Sequence, residues 1–402
     1  MSELSKQFGI YIHIPYCLQR CTYCDFATYV HSEIRPPEVY VAAVKKEISN
    51  KKNLFRHQQD KPIDTLYFGG GTPSLIPAHL IVELISELAK FGYRTGPNTE
   101  ITIEINPATV DEKKLETYLA AGVNRFSVGA QSFSDRLLKM VNREHNSAQT
   151  IQTLELLKKY DLNFSFDVLF ALPTQTVKEL TYDIKVATEM GSRHISPYCL
   201  TVPEGHPLSK NRPLDDEQIE MFQIIHRELT AKKFHRYEIS NYALSGFESQ
   251  HNLLYWTDKD FWGLGLSAHS YARSAQHDMK PQQWGSRFWN INSFELYLQQ
   301  MESESELAGL DHYIPRQIEH LQKHESLSDY CYTSLRLDRG LSVDKLGEKY
   351  GSKTKDAVIT LAEDLVNRSL LQNSEGHYRL TENGVLISNQ IFEKFSFSED
   401  DL

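Results

Sequence analysis

Three cysteines lie within eight consecutive positions near the start of the chain. They occur in the segment IPYCLQRCTYCDF with the spacing C-x3-C-x2-C, and the three thiols belong to Cys17, Cys21 and Cys24. Thiolates bind zinc and iron–sulfur clusters, so this spacing indicates a metal site. The remaining cysteines, Cys199 and Cys331, are far apart in sequence and do not suggest a disulfide framework.

The kinds of site that cysteines form differ in the number of thiols that they need. A structural zinc site takes four ligands, usually in two separated pairs, and no second pair exists in this chain. A redox disulfide needs only C-x-x-C in a thioredoxin-like context, and an electron-transfer 4Fe-4S cluster takes four thiolates. Three thiolates would leave one iron of a 4Fe-4S cluster open, which is typical of a metal site that acts on a bound molecule. Packing of three cysteines without a ligand role is the alternative.

Composition and charge limit the class of protein. The chain has 402 residues, of which 40% are hydrophobic and 24% charged, as expected for a globular protein with a sizeable core. No apolar run approaches the ~18 residues of a membrane span, and the opening MSELSKQFGI does not resemble a signal peptide. A cytoplasmic protein is predicted. The net charge of −10 argues against general binding of nucleic acid.

Elements that could position the cysteines follow a regular order up to about residue 202. Short β-rich segments alternate with helical ones such as 36–48 and 78–91, which predicts βαβ units and a parallel sheet. Six units predict an α/β fold in the form of a partial (β/α)6 TIM-like barrel, open where eight units would close. The six strand candidates are 9–15, 65–70, 100–107, 125–132, 163–173 and 194–202.

The unusual residues fall where these strands end. IPYC follows the first strand, GGGTPS the second, EINP the third and GAQS the fourth. In barrels of this kind, the reactive groups come from the carboxyl ends of the strands. The sequence therefore predicts one site, formed jointly by the cysteine segment and these strand ends.

The rest of the chain divides into two further predicted regions. Residues 1–202 form the barrel with the cluster site, 203–305 a family-specific extension rich in aromatic residues, His and Gly, and 306–402 a C-terminal domain. The piece LLQNSEGHYRLTENG reads as two strands around a turn followed by a helix, which predicts a winged-helix-like domain. Residues 311–402 carry 11 Lys and Arg against 16 Asp and Glu, a balance of −5, so packing or partner docking is favoured over DNA binding.

The cysteine spacing resembles the radical S-adenosylmethionine (SAM) superfamily. In that superfamily the three cysteines hold a 4Fe-4S cluster, and the methionyl amine and carboxylate of SAM occupy the open iron. An electron from the reduced cluster then cleaves SAM to methionine and a 5′-deoxyadenosyl radical. FGGGTPS resembles the glycine-rich strand end of these proteins, where Cβ atoms would block the approach of the methionyl group.

The same resemblance implies a set of SAM contacts. The order and contexts of the residues match the oxygen-independent coproporphyrinogen III dehydrogenase-like family. The carboxylates would accept from ribose hydroxyls or the methionyl amine, and Arg143 would pair with the methionyl carboxylate. The implied cofactor-binding residues are Tyr11, Tyr23, Gly70, Gly71, Thr72, Glu104, Gln131, Arg143 and Asp167.

Two branches of this family differ in motifs that the chain contains. The dehydrogenases, which convert two propionates of coproporphyrinogen III to vinyl groups, carry a further cysteine where this chain has Phe26. HNLLYW matches the H-N-x-x-Y-W signature of the HemW-type branch, and GLGLSAHSY also fits it. That branch resembles haem chaperones, which implies haem as cargo, transfer to acceptor proteins including membrane-associated ones, and an electron donor such as flavodoxin or ferredoxin. Porphyrin oxidation remains the alternative, so whether the chain is an enzyme stays open.

Histidines of this region are candidates for a haem contact. His251, the first residue of HNLLYW, could ligate haem iron, because neutral imidazole is a common axial ligand. It could equally be a hydrogen-bonded residue that holds a loop against the barrel. His269 is a lesser candidate.

Overall fold

The computed structural model of the chain describes residues 7–273, 283–306 and 317–401. Strands and helices alternate strictly through its first half. In chain order the elements are β1 (Phe8–Ile14), β2 (Tyr16–Cys17), β3 (Tyr29–Val30), α1 (Pro37–Lys51), β4 (Thr65–Gly70), α2 (Ala78–Lys90), β5 (Glu100–Ile105), α3 (Glu112–Ala120), β6 (Arg125–Gln131), α4 (Asp135–Met140), α5 (Ser147–Lys159), β7 (Asn163–Phe170), α6 (Val177–Glu189) and β8 (His194–Cys199).

The second half mixes short strands with helices. Its elements are α7 (Asp215–Ala231), β9 (His235–Glu238), β10 (Asn241–Ala243), α8 (Gln250–Trp256), β11 (Asp260–Leu264), β12 (His269–Ala272), β13 (Gly285–Trp289), α9 (Phe294–Ser303), β14 (Ile318–Leu321), α10 (Lys323–Arg336), β15 (Leu341–Ser342), α11 (Val343–Tyr350), α12 (Ser352–Asn367), β16 (Leu371–Ser374), β17 (His377–Leu380), α13 (Glu382–Leu386) and α14 (Ser388–Glu393). Among the described helices, none combines the length and the apolar character needed to cross a membrane.

One large sheet forms the barrel wall. Strands β1, β4, β5, β6, β7 and β8 lie side by side in that order, and each pairs with the next in parallel. This arrangement confirms the predicted α/β partial barrel. Five of the six strands end earlier than predicted: β1 and β6 by one residue, and β5, β7 and β8, which stop at Ile105, Phe170 and Cys199, by two or three.

The region after the barrel extends this same sheet at both edges, which the sequence pattern did not reveal. Strand β11 pairs with β1 in parallel and adds a seventh parallel strand, and β12, β13 and β14 continue antiparallel from it. At the other edge, β10 and β9 continue antiparallel from β8. These strands have only three to five residues each, so their alternation is too short to read. The domain boundaries at 202/203 and 305/306 stay predictions.

Alternation of side chains along each strand separates the core from the barrel interior. Ile10, Ile12 and Phe68 are fully buried and belong to one apolar cluster, which also contains the inner faces of the surrounding helices. The residues between them in sequence, such as Tyr11 and Tyr67, point to the other side of the strands. Successive side chains of a strand face opposite sides, so polar residues line the interior without entering the apolar core.

The C-terminal region has its own apolar core. Strands β15, β17 and β16 form a three-stranded antiparallel sheet, and helices α10 to α14 pack around it. The two strands β16 and β17 with the following helix α13 match the predicted winged-helix-like pattern. Arg336 on α10 joins this region to the barrel sheet, since its Nε donates to Glu238 Oε2 at 2.6 Å.

A buried ion pair ties α1 to the loop after β11. Lys51 Nζ donates to Glu47 Oε1 at 3.0 Å, and both side chains are fully buried. Glu47 Oε2 accepts from the backbone N–H of Gly265 at 2.8 Å and from the hydroxyl of Tyr297 at 2.7 Å. Asn290 donates to Glu47 Oε1 at 2.7 Å. The pair therefore fixes the GLGL segment against the first barrel helix.

Candidate functional site

A cavity of about 590 Å³ opens at the carboxyl ends of the barrel strands. Its wall contains the three clustered cysteines and eight of the nine residues implied as SAM contacts, which the chain brings together from six segments. These wall residues are Cys17, Cys21, Tyr23, Cys24, Gly70, Gly71, Thr72, Glu104, Gln131, Arg143 and Asp167. The strand-end prediction thus corresponds to one continuous cavity.

Cys17 lies against the glycine-rich end of β4. A Cβ on Gly71 would come within 2.9 Å of Cys17 Sγ and 2.7 Å of the carbonyl oxygen of Tyr16, so no other residue fits without moving the cysteine segment. The hydroxyl of Thr72 donates to Cys17 Sγ at 3.9 Å. Burial raises the pKa of the Cys17 thiol to about 11, so without a metal this thiol stays protonated at neutral pH.

Cys21 and Cys24 face the cavity from the loop between β2 and β3. Nη1 of Arg143 donates to Cys21 Sγ at 3.4 Å, and its Nη2 donates to Asn106 Oδ1 at 2.7 Å. The guanidinium therefore places a positive charge beside the thiol that would carry negative charge as a metal ligand. Cys24 Sγ lies 3.9 Å from the hydroxyl of Thr28.

Glu104 stands at the floor of the cavity with both oxygens hydrogen-bonded. Its Oε1 accepts from the hydroxyl of Tyr67 at 2.9 Å, and its Oε2 accepts from the backbone N–H of Gly70 at 3.0 Å. Burial raises the pKa of Glu104 to about 7, although both of these hydrogen bonds lower it. The nearby carboxylate of Asp167 raises it further.

Asp167 is the second carboxylate in the cavity. Burial raises its pKa to about 6, while a hydrogen bond from Ser196 and the charge of Arg125 lower it. Two carboxyl groups with pKa values near neutrality, in a cavity open to solvent, are suited to accept hydrogen bonds from a cationic or hydroxyl-bearing ligand. Functional sites often contain such groups.

The donor set fits an iron–sulfur cluster with SAM. Three thiols line one cavity, donors lie beside their sulfur atoms, and a glycine leaves the space that a Cβ would fill. Within the described ranges, no three His, Cys, Asp or Glu side chains are arranged to hold a single metal ion. When bound, the cluster and SAM would supply one-electron chemistry, and the protein would hold them through Cys17, Cys21 and Cys24 on one side and the two carboxylates on the other.

Tyr11 does not line the cavity. It lies on β1 one level below, where its hydroxyl donates to Nδ1 of His13 at 3.0 Å and its ring stacks on Tyr67 at 6.0 Å. His13 Nε2 lies 2.9 Å from the carbonyl oxygen of Ala27 in the cysteine loop. The structure thus places Tyr11 under the cysteine loop, and its direct contact with SAM stays a prediction.

His251 lies outside the cavity and is closed to ligands in this conformation. It is 1% exposed, its Nδ1 is hydrogen-bonded to the hydroxyl of Thr65 at 2.6 Å, and its Nε2 is hydrogen-bonded to the hydroxyl of Tyr255 at 2.8 Å. Burial lowers its pKa to about 3, so it is neutral. Both nitrogens are engaged, which favours the loop-holding interpretation over haem ligation.

Several residues of the cavity wall were not predicted from the sequence. Asn106 accepts a hydrogen bond from Arg143 and so holds its side chain in place. It belongs to the EINP segment, in which only Glu104 was predicted to contact SAM. Tyr198 and Cys199 line the cavity from the end of β8, at the carboxyl end of the sixth predicted strand. The strand-end rule that located the other residues could have identified them. The other wall residues without a prior assignment include Gln19, Asp25, Ser127, Glu144 and Thr201.

Known proteins resemble this chain over the part of the sequence that forms the cavity. The sequence model of the family described as "Radical SAM superfamily" matches residues 11–186, which include every predicted SAM and cluster residue. The curated relatives include a heme chaperone HemW of Bacillus subtilis (strain 168), 30% identical over 393 residues, an alignment that spans 96% of this chain and 98% of that protein.

Two further relatives show the same pattern. A heme chaperone HemW of Synechocystis sp. is 31% identical over 421 residues, covering 97% of each protein, and that of Escherichia coli (strain K12) is 36% identical over 266 residues, covering 65% of this chain and 69% of the relative. Among solved structures, the coproporphyrinogen III oxidase HemN from E. coli, described as a radical SAM enzyme, superposes with a TM-score of 0.78 at 20% identity, covering 97% and 90% of the two chains. At that identity the likeness shows the fold alone.

Proposed function

The chain belongs to the radical SAM superfamily and, within it, to the family of the heme chaperone HemW, and on that premise we propose that it binds haem and passes it to acceptor proteins. A 4Fe-4S cluster on Cys17, Cys21 and Cys24, with SAM at the open iron, would accompany this activity. The observation that supports the proposal is one cavity lined by the three thiols and by eight of the residues predicted to contact SAM, in a chain that aligns with a curated relative over 98% of that relative's length.

The roles of individual residues follow from their places in the cavity. Glu104 would accept from the methionyl amine, since its carboxylate is already oriented by Tyr67 and Gly70. Arg143 would hold the cysteine segment and face the methionyl carboxylate. Asp167 would accept from the ribose hydroxyls, and Tyr23 would contact the adenine.

A haem titration of the protein tests the proposal. The cluster is reconstituted without oxygen, haem is added, and the complex is then mixed with an apo haem protein that serves as acceptor. About one haem per chain should bind and then move to the acceptor, seen as a change from the spectrum of this complex to that of the acceptor. A protein that takes up no haem above the level of an unrelated globular protein refutes the proposal.

The alternative activity is oxidation of coproporphyrinogen III, as in the dehydrogenase branch of the family. Phe26, which stands where those enzymes carry a further cysteine, lines the cavity and is 66% exposed. This position therefore offers a ring rather than a thiol to the cavity. No described feature of this chain favours the oxidation over haem binding.

The partners belong to the same proposal. An electron donor such as flavodoxin or ferredoxin would reduce the cluster, and the acceptor would be a haem protein, membrane-associated ones included. We place the protein in the cytoplasm. All five cysteines lie in the described residues and none forms a disulfide, which suits a reducing compartment.

The raised pKa values predict that SAM affinity depends on pH. The carboxyl of Glu104 has a pKa of about 7, well above its ordinary value of 4.5, so it takes up a proton as the pH falls through 7. SAM needs the ionised carboxylate as an acceptor, so the affinity should fall by about tenfold per pH unit below that value. Equilibrium binding of SAM to the reconstituted protein, measured from about pH 6 to about pH 8, checks this.

Two variants identify the group responsible. Glu104→Gln should bind SAM weakly at every pH and lose the dependence near neutrality, because its side chain has no proton to take up. Asp167→Asn should keep the dependence that belongs to Glu104, moved to lower pH because the charge of Asp167 no longer raises the pKa of Glu104, and should lose the part that belongs to Asp167. An unchanged pH profile in Glu104→Gln would assign the effect to another group.

A further inference from the structure

A small face of the extended sheet carries one exposed histidine among partly buried aromatic and charged side chains. Strands β12 and β13 pair antiparallel, with His269 opposite Trp289 and Tyr271 opposite Arg287. These four side chains share one side of the pair. The alternating residues Ser270, Ala272, Ser286 and Phe288 are buried on the other side, so the exposed side is a separate surface, here called the β12–β13 face.

His269 is available on this face. Its side chain is exposed, and neither ring nitrogen forms a hydrogen bond with any residue that the structure describes. Its ring stacks on Trp289, with centroids 5.7 Å apart and an angle of 23° between the planes. Partial burial and the charge of Arg287 lower its pKa, so the imidazole is neutral at physiological pH and can ligate a metal.

The remaining residues of the face are anchored. The hydroxyl of Tyr271 donates to Asp258 Oδ1 at 2.8 Å, and Arg287 forms ion pairs with Glu319 and Asp329. An exposed imidazole among fixed aromatic and charged neighbours has little freedom to lose on binding a flat ligand, which favours affinity.

The face is continuous with the HNLLYW segment. The ring of Tyr271 lies 6.1 Å from that of Phe261, and Phe261 contacts Tyr255 edge-on at 4.6 Å. Tyr255 in turn is hydrogen-bonded to Nε2 of His251. Phe261 lies directly opposite Tyr271 in the sheet and points to the same side, so the HNLLYW segment borders the β12–β13 face, with both nitrogens of His251 hydrogen-bonded.

We infer that His269, on the β12–β13 face, is the axial ligand of haem iron, and that Trp289 and Tyr271 contact the porphyrin. This inference rests on the proposed function, because it assumes that haem is the cargo. His251 is then a positioning residue, which holds Tyr255 and, through it, Phe261 at the edge of the face. The site lies two strands beyond β1, at the same end of the sheet as the cysteine loop, and none of its four residues belongs to the wall of the SAM cavity.

Substitution of the exposed histidine tests the inference. Haem is titrated into the reconstituted full-length protein and into His269→Gly, with His79→Ala as the matched control, because His79 is also exposed and lies on α2 away from this face. His269→Gly should bind haem about tenfold or more weakly and with a shifted Soret band, and added imidazole should restore the band. His79→Ala should match the unaltered protein in both properties.

Further variants keep the outcome clear. His269→Gln retains a polar side chain of similar length and is the substitute if His269→Gly folds poorly. It should show the same loss of haem affinity and the same shift of the Soret band. His251→Ala should lower the melting temperature while leaving the Soret position unchanged. The inference is overturned if both His269 variants bind haem with unaltered affinity and spectrum, or if only His251→Ala shifts the Soret band. Failure of the unaltered protein to bind any haem refutes the proposed function itself.

Discussion

Cys21→Ser should lose the iron–sulfur cluster and, with it, SAM binding. Serine preserves the size of the side chain but not the thiolate that binds iron, so iron and sulfide should fall from about four per chain to near zero. The brown absorbance of the reconstituted protein should vanish. Chemical analysis of iron and sulfide after anaerobic reconstitution measures the loss directly.

Cys199→Ser is the control for this experiment. Cys199 lines the same cavity but lies at the end of β8, outside the cysteine segment. This variant should retain the full iron content and bind SAM. A Cys21→Ser protein that keeps its cluster and its SAM affinity would show that the three clustered thiols are not the cluster ligands. Equal loss in Cys199→Ser would add a fourth thiol to the ligand set.

Glu47→Ala should destabilise the fold by about 3–5 kcal/mol. The substitution leaves the ammonium of Lys51 buried beside Asn290 without its carboxylate and frees the backbone N–H of Gly265 from its acceptor. Removal of one partner of a buried ion pair is among the most costly changes in a protein interior. Chemical denaturation of the variant and the unaltered protein, followed by far-ultraviolet circular dichroism, gives the difference in free energy of unfolding.

Two companion variants separate charge burial from ordinary loss of contacts. Glu83→Ala removes the partner of Lys45 in a pair of the same 3.0 Å length at the surface, and should change the free energy of unfolding by about 1 kcal/mol or less. The double variant Glu47→Leu, Lys51→Met removes both buried charges and should recover part of the loss. If Glu47→Ala is no more harmful than Glu83→Ala, the buried pair has no special role.

The barrel and its cavity were predictable because their signals are local. Each parallel strand is long enough to show an apolar run, and the chemistry-bearing residues follow the strands at once, as in Cys17 and Gly71. Parallel strands end at one edge of the sheet, so the motifs had to converge. The resemblance assigned Arg143 and Cys21 to the same site, but the hydrogen bond between them was not predicted.

Other features depend on distance in space and could not be read from the sequence. Alternation shows that Tyr11 faces the barrel interior, but not that it lies one layer below the cavity. Glu47 and Lys51 are charged residues one helical turn apart, a pattern that usually marks a solvent-facing surface, and only tertiary packing buries them. The short strands β11 to β14 gave no readable alternation, so the face that carries His269 was not foreseen.

Haem transport and porphyrin oxidation make opposite predictions for this chain, and haem transport is the function that the relatives support. The most direct measurement supplies the anaerobically reconstituted protein with SAM and reductant and compares haem with coproporphyrinogen III side by side. We expect haem to bind at about one per chain and to leave for an acceptor, with no vinyl product formed from coproporphyrinogen III. Conversion of coproporphyrinogen III to protoporphyrinogen, without stable haem binding, would contradict this account and assign the chain to the dehydrogenase branch despite Phe26.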